Sequence, residues 1–176
     1  MEVSELHLRD CNLSSRSLIA IAAVVEANHG LRSLDLSANP QLVAGGSSSK
    51  QIDAAVRTSI AAHMSLTELR LAGTGFGDKH TRSLAIALLE APSLTWLDLS
   101  DNSLGTTASL NGCVAALADL LSPDSHCPLG TLDLSYNGFS HPAAARLGSA
   151  IAANQRLEHL VNRPEVFDMH CEIPFY

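Results

Sequence analysis

A phrase of eleven residues recurs along the chain, and no other feature constrains the fold so strongly. Its fullest copy runs from Leu94 to Leu104 and reads L-x-x-L-x-L-x-x-N-x-L. Two of its leucines, Leu97 and Leu99, are two positions apart, so on an extended strand both point to the same face. Asn102 follows where the chain must turn. Each phrase therefore predicts one short β-strand and the turn after it.

Related phrases begin at six positions, and their spacing alternates. The starts are Val3, Leu31, Leu66, Leu94, Leu129 and Leu157, so that a shorter gap, as from Val3 to Leu31, alternates with a longer one, as from Leu31 to Leu66. Between the phrases, the spacing of apolar residues changes from two to about 3.6, which is typical of an amphipathic helix. The chain is thus predicted to repeat strand, turn, helix and return, about five and a half times.

Repeats of this kind fold only as an array, because each one buries its apolar side against a neighbour. Parallel strands stack about 4.8 Å apart, whereas helices are about 10 Å wide. We therefore expect an α/β solenoid curved into a right-handed horseshoe, with a parallel sheet on the concave face and helices on the convex face. Asn39, Asn102 and Asn137 are expected to turn buried amides toward the turn backbone.

The phrase and its helical return resemble the leucine-rich repeat, in particular the ribonuclease-inhibitor-like class, over residues 3–160. That class also occurs in ribonuclease inhibitor, Ran GTPase-activating protein, tropomodulin and the sensor region of NOD-like receptors. The resemblance implies a protein-binding scaffold. Through Ran GTPase-activating protein it also implies an alternative function, the regulation of a small GTPase.

Composition narrows the class of partner. The formal net charge of −7 argues against a nucleic-acid binder and is compatible with a basic protein partner. The start of the chain does not read as a signal peptide, and no apolar run reaches the length of a membrane span. The four cysteines are dispersed, which indicates reduced thiols. The sequence therefore predicts a cytoplasmic protein.

The ends of the array leave alternatives open. Residues 1–163 are expected to form the repeat domain, and residues 164–176 a capping tail of the same domain; a docking tail is the alternative. The first strand has no polar cap ahead of it. We therefore expect a monomer, or weak self-association through this N-terminal edge, unless an extension covers it. A structural subunit that associates through its uncapped N-terminal repeat is a further alternative function.

The second and fourth units are seven residues longer than the others. In the second unit, residues 43–50 are rich in glycine and serine and are expected to form a loop at one rim of the sheet, whose role the sequence does not indicate. In the fourth unit, the additions are predicted to be divided between residues 105–109 and 122–128, at opposite rims.

Side chains that alternate with the strand leucines are expected to face the concave side. These, together with residues of the following turns, form an acidic face around one tryptophan, which resembles a binding anchor with a charged surround. The candidate partner-binding residues are Asp35, Glu68, Arg70, Trp96, Asp98, Asp101, Asp133 and Tyr136.

No catalytic, cofactor or metal site is predicted. Asp98 and Asp133 are expected one strand apart, but on an open face that neither excludes water nor raises a pKa. His126-Cys127 and His170-Cys171 are two His-Cys pairs, and their spacing differs from that of most zinc sites. The chain is therefore interpreted as a binding protein and not as an enzyme.

Overall fold

The structure of the protein is a computed structural model that describes residues 3–44, 47–61, 63–105 and 112–162, with all their side chains except those of residues 58, 59 and 61. The predicted capping tail, residues 164–176, lies outside the described residues. So does most of the 105–109 segment.

The strands form one parallel sheet whose spatial order follows the chain order from β1 to β6. Each strand has three residues and occupies the same place in its phrase. The strands are β1 (Glu5–His7), β2 (Ser33–Asp35), β3 (Glu68–Arg70), β4 (Trp96–Asp98), β5 (Thr131–Asp133) and β6 (His159–Val161). The predicted parallel sheet is confirmed.

The middle residue of every strand is a leucine, and the pairing places these leucines in one row. The four inner ones, Leu34, Leu69, Leu97 and Leu132, have no exposed surface. Leu6 and Leu160 are only partly buried, because each edge strand has a neighbour on one side only. This row of leucines is the contribution of the sheet to the apolar core.

A helix follows each of the first five strands and supplies the other wall of the core. The helices are α1 (Ser15–Ala27), α2 (Ser49–Ala55), which continues as a π-helix (Val56–Ala61), α3 (Asp78–Leu88), α4 (Cys113–Leu120) and α5 (His141–Ala153). Predicted core positions such as Leu18, Ile52, Leu84 and Leu147 are buried. In the described part of the chain, no helix is both long enough and apolar enough to cross a membrane.

Three asparagine amides each fasten their own turn to the turn of the preceding unit. The Oδ1 atom of Asn39 accepts the backbone N–H groups of Cys11 and Leu13, and its Nδ2 atom donates to the carbonyls of Leu8 and Leu36. Asn102 and Asn137 make the equivalent contacts two and three units further along the array. The predicted role of these amides is confirmed.

In both long units, the added length falls in the chain between the start of the strand and the start of the helix. The interval from the start of a strand to the start of its helix is the same for α1, α3 and α5, as from Glu5 to Ser15. It is much longer before α2, from Ser33 to Ser49, and before α4, from Trp96 to Cys113. From the start of a helix to the next strand, by contrast, the units have nearly equal lengths. The prediction that the fourth unit divides its additions between two rims is therefore wrong.

Residues 122–128 add no length because α4 is short, and the return after it is correspondingly longer. Arg156 holds this return in place: its guanidinium donates to the backbone carbonyls of Ser122 at 2.7 Å, Pro123 at 3.2 Å and Ser125 at 2.7 Å. The length of helix plus return is fixed because each helix must pack in step with its neighbour.

Candidate functional site

Two rows of side chains cover the face of the sheet that looks away from the helices, here called the open face. Strand pairing sets both rows, because each side chain stands beside its partners on the neighbouring strands. One row holds Glu5, Ser33, Glu68, Trp96, Thr131 and His159, and the other holds His7, Asp35, Arg70, Asp98, Asp133 and Val161. These are the positions that the alternation in sequence predicts.

Glu68, Arg70 and Trp96 form a compact cluster, here called the tryptophan cluster, near the middle of the open face. The Arg70 guanidinium is hydrogen-bonded and ion-paired to Oε1 of Glu68. Its Cζ atom lies 5.0 Å from the centroid of the Trp96 ring, within the range of a cation–π contact. Ser33 donates from its hydroxyl to the other oxygen of Glu68 at 3.3 Å. Arg70 is therefore held in place and electrically neutralised.

Trp96 has 41% of its surface exposed, although tryptophan is a large apolar residue. Sequence reasoning placed it on the open face but did not predict that Arg70 would stack against it. The register of β3 and β4 could have indicated this contact. Glu68 pairs with Trp96 and Arg70 with Asp98, so Arg70 and Trp96 are diagonal neighbours on adjacent strands. The long side chain of Arg70 bridges that offset. A fixed, exposed indole is the feature of this face best suited to anchor a partner.

The three strand aspartates share one local contact. In each case Oδ1 accepts the backbone N–H of the serine two residues later, at 2.9 Å for Asp35 and Asp98 and 2.8 Å for Asp133. Asp98 also accepts the Ser100 hydroxyl at 2.7 Å. This contact closes the backbone at the end of each strand, so the aspartates have a structural role whatever else they do.

Asp35 differs from the other two aspartates in burial. It is only 5% exposed, whereas Asp98 and Asp133 are partly exposed. In register it stands between the larger side chains of His7 and Arg70. Although Asp35 lies at its predicted position, it offers almost no surface to a partner.

Three carboxylates form an acidic side of the open face, which we define as Asp98, Asp101 and Asp133. Asp98 and Asp133 are direct neighbours in register, where like charges repel. Among the described residues, the ion pairs are His7–Glu5, Arg70–Glu68 and His80–Asp53, and none includes a member of the acidic side. The charge of the acidic side is therefore uncompensated by ion pairs within the described chain.

The rim beside the acidic side has an unusual backbone. The residue before each asparagine slot has a positive φ: 54° at Asp10, 56° at Ala38, 62° at Gly73, 54° at Asp101 and 56° at Tyr136. Glycine accepts this conformation readily, but a tyrosine rarely does. Tyr136 nevertheless lies there with 42% of its surface exposed. Sequence reasoning missed this turn, although Gly73 marks it in the third unit.

The cysteines in the described part of the chain are free thiols, and two of them, Cys113 and Cys127, are buried. Burial raises the pKa of the Cys113 thiol to about 12, and the carboxylate of Asp78, whose Oδ1 lies 2.9 Å from its Sγ, adds to the shift. Burial also raises the pKa of Cys127 to about 11. Neither thiol is suited to nucleophilic chemistry, because the thiolate is disfavoured.

The His-Cys pairs do not form one cluster in the described chain. Cys127 is fully buried, and its Sγ contacts the backbone carbonyl of Leu94, whereas His126 is exposed. His170 and Cys171 lie outside the described residues. Within the described ranges, no three His, Cys, Asp or Glu side chains are grouped so as to hold a metal ion.

The chain is similar to known proteins in one repeat, in half of its sequence and in its overall fold. A family model described as Leucine Rich Repeat matches residues 93–113, which include β4. The Tonsoku-like protein of Bos taurus is 38% identical over 91 residues, or 52% of this chain. That match spans 6% of the length of the bovine protein.

Two solved structures share the fold. The tropomodulin C-terminal domain of Caenorhabditis elegans matches with a TM-score of 0.59 and 19% identity, covering 89% of this chain and 85% of that one. Leiomodin-1 actin-binding site 2 matches with a TM-score of 0.54 and 14% identity, covering 93% and 72%. With six equivalent strands, helical returns and a repeated asparagine slot, the chain has the fold of a leucine-rich repeat protein.

Proposed function

We propose that the chain is a protein-interaction module that holds its partner on the open face of the sheet, around Trp96. The observation that carries this proposal is an exposed indole fixed by an arginine that is itself held by a carboxylate. Such an anchor loses little side-chain entropy on binding, because its geometry already exists in the free protein. The module acts by binding and not by catalysis.

The size of the face supports the proposal. Six strands at about 4.8 Å spacing give a surface some 25 Å long, which is of the scale of a standard interface with about 800 Å² per partner. Its centre is aromatic and its surround is charged, the arrangement typical of binding hot spots. On this reasoning, the partner does not contact the nearly buried Asp35 and contacts Glu68, Arg70, Trp96, Asp98, Asp101, Asp133 and Tyr136.

The experiment compares affinity capture from the native cell by the wild type and by two truncations of exposed apolar residues. Trp96→Ala removes the anchor, and Ile86→Ala, at a residue 44% exposed on α3, is the matched control. We expect the partners bound by the wild type to be retained by Ile86→Ala and lost by Trp96→Ala, with closely similar melting curves for all three. Equal capture by the two variants would contradict the proposal.

Actin is one specific candidate partner, because the leiomodin-1 structure with the same fold is described as an actin-binding site. Co-sedimentation with filamentous actin and binding to monomeric actin test it directly. Regulation of a small GTPase has support only from the class resemblance; GTP hydrolysis by candidate GTPases, measured with and without the chain, would reveal it. An effect of Trp96→Ala on either readout would place that partner on the open face.

We place this activity in the cytoplasm. The thiols of Cys11, Cys113 and Cys127 are free, which is the state expected in a reducing compartment. Fractionation of the native cell with an antibody to the chain tests this assignment. Recovery in a secreted fraction would contradict it.

A further inference from the structure

The open face has two electrically different halves, and the difference indicates which chemistry its partner must have. At the centre, Arg70 is paired with Glu68, so the tryptophan cluster has no net charge. In the fourth and fifth units, the acidic side carries three carboxylates and, in the described chain, no ion-paired cation. The two halves meet between Trp96 and Asp98, which belong to the same strand.

From this asymmetry, together with the proposed function on which it rests, we infer that the partner is a protein segment bearing Lys or Arg, bound with its cationic side chains over Asp98, Asp101 and Asp133. An apolar or aromatic side chain of the same segment lies on Trp96. The partner thus runs across the strands, apolar at the third and fourth units and basic at the fourth and fifth.

The pairing of Asp98 with Asp133 supports a cationic occupant. Neighbouring Cα atoms in a sheet are about 5 Å apart, so one ammonium or guanidinium group can lie near both carboxylates. Such a group removes a repulsion that the free protein carries. An acidic partner would increase the same repulsion.

Two further observations locate the acidic side of the binding surface. A Cβ built on Gly73 would lie 3.1 Å from Oδ2 of Asp101, so the Asp101 carboxylate lies beside the rim turn of the third unit. Tyr136, at the equivalent rim position of the next unit, is 42% exposed. The acidic side is thereby bordered by an aromatic residue on each side, Trp96 on the strand and Tyr136 at the rim.

The test uses peptides as probes. Three peptides of about ten residues alternate alanine with lysine, with glutamate or with serine, long enough to span the third to fifth units. Trp96 is the only tryptophan of the chain, so its fluorescence reports binding at this face directly. We expect the lysine peptide to change the Trp96 emission and the other two to leave it unchanged. Because the attraction is between exposed charges, raising the salt from about 50 mM to about 300 mM should weaken binding.

The decisive variant is Asp98→Asn, Asp101→Asn, Asp133→Asn. Asparagine keeps an Oδ1 acceptor for the N–H groups of Ser100 and Ser135, so the strand ends remain closed. A matched control removes three exposed acidic charges on or beside the helices: Glu26→Gln, Glu90→Gln, Asp119→Asn. We expect the first variant to bind the lysine peptide at least about tenfold more weakly and the control to bind within about twofold of the wild type.

The outcomes separate this inference from the proposed function. Equal loss in both triple variants, or an unchanged Trp96 emission with the lysine peptide, would overturn the inference. If cellular partners are lost by Trp96→Ala but retained by the triple asparagine variant, the open face binds its partner and the inference about charge is wrong. Tighter binding of the glutamate peptide would also refute it.

Discussion

Asn102 bonds to the backbone of Thr74, which lies in the preceding repeat. Its Oδ1 atom accepts the Thr74 N–H at 3.1 Å, and the N–H of Phe76 at 3.0 Å. Its Nδ2 atom donates to the carbonyls of Leu71 and Leu99. The side chain is 1% exposed, so water cannot replace it. One amide thus satisfies the turns of two repeats at once.

Asn102→Ala should lower the free energy of unfolding by about 3 kcal/mol or more, because several buried backbone groups lose their partner and each costs about 1–3 kcal/mol. Urea denaturation followed by circular dichroism measures the change. Gln155→Ala, which truncates an exposed amide, serves as the control and should shift stability by less than about 0.5 kcal/mol. Equal effects of the two substitutions would show that the amide does not fasten the turn.

Gly73 and Gly77 make a matched pair four residues apart. Gly73 has a φ of +62°, and a Cβ there would lie 3.1 Å from Oδ2 of Asp101; at Gly77 no heavy atom lies within 4 Å of a Cβ. Gly73→Ala should therefore destabilise the protein by about 1–2 kcal/mol, the cost of a left-handed residue with a side chain. Gly77→Ala has room for its side chain but replaces the N-cap residue of α3, so it should cost less, at most about 1 kcal/mol. The melting temperatures of the two variants test this, and a larger loss at Gly77 would contradict it.

The fold could be predicted from the sequence because the repeated phrase gives the period of the array directly. Leucines two apart fix which face of each strand is buried, and a phrase common to all units fixes the register. The exposure of individual side chains on the open face was harder to predict from the sequence. Asp35 and Asp98 hold the same place in the phrase, yet Asp35 is 5% exposed and Asp98 is more so, because exposure depends on the size of the neighbours in register.

The placement of the extra residues was wrongly predicted for the fourth unit for a similar reason. The period gives the number of added residues but not their position, because loops carry no periodic pattern. The Pro- and Ser-containing stretch 122–128 suggested an insertion. This return is long because α4 ends early, at Leu120. The cluster of Arg70 with Trp96 was likewise missed, since it depends on a side-chain conformation and not on spacing.

The buried thiol of Cys113 makes stability fall at high pH. Burial, with Asp78 beside it, raises its pKa from 9.0 to about 12. The folded chain therefore holds this proton more tightly than the unfolded chain does. The stabilisation is complete below pH 9 and is lost as the pH rises toward 12. Cys127, whose pKa is raised to about 11, acts in the same direction.

The free energy of unfolding should therefore fall between pH 9 and 11, by at most about 1.4 kcal/mol per pH unit for each thiol. Cys113→Ser keeps a hydroxyl donor for Asp78 but does not titrate in this range, so it should flatten the decline. Cys11→Ser, at the exposed thiol, is the control and should leave the slope as in the wild type. Denaturation curves at several pH values measure the slopes, and identical slopes for both variants would reject this explanation.

Tyr136 allows stability and binding to be separated. Its φ of 56° costs an ordinary residue about 1–2 kcal/mol, and glycine adopts it without that strain. Tyr136→Gly should therefore leave the free energy of unfolding unchanged or raise it by up to about 1 kcal/mol, while partner binding at the open face weakens because an exposed ring is lost. Ala38→Gly changes the same turn position three units earlier. Its free energy of unfolding should change in the same way as that of Tyr136→Gly, but partner binding should not weaken. Thermal melts and the binding assay on both variants test this prediction. If Tyr136→Gly binds the partner as well as Ala38→Gly does, the ring is not part of the binding surface. If Tyr136→Gly melts well below the wild type, the tyrosine contributes to packing.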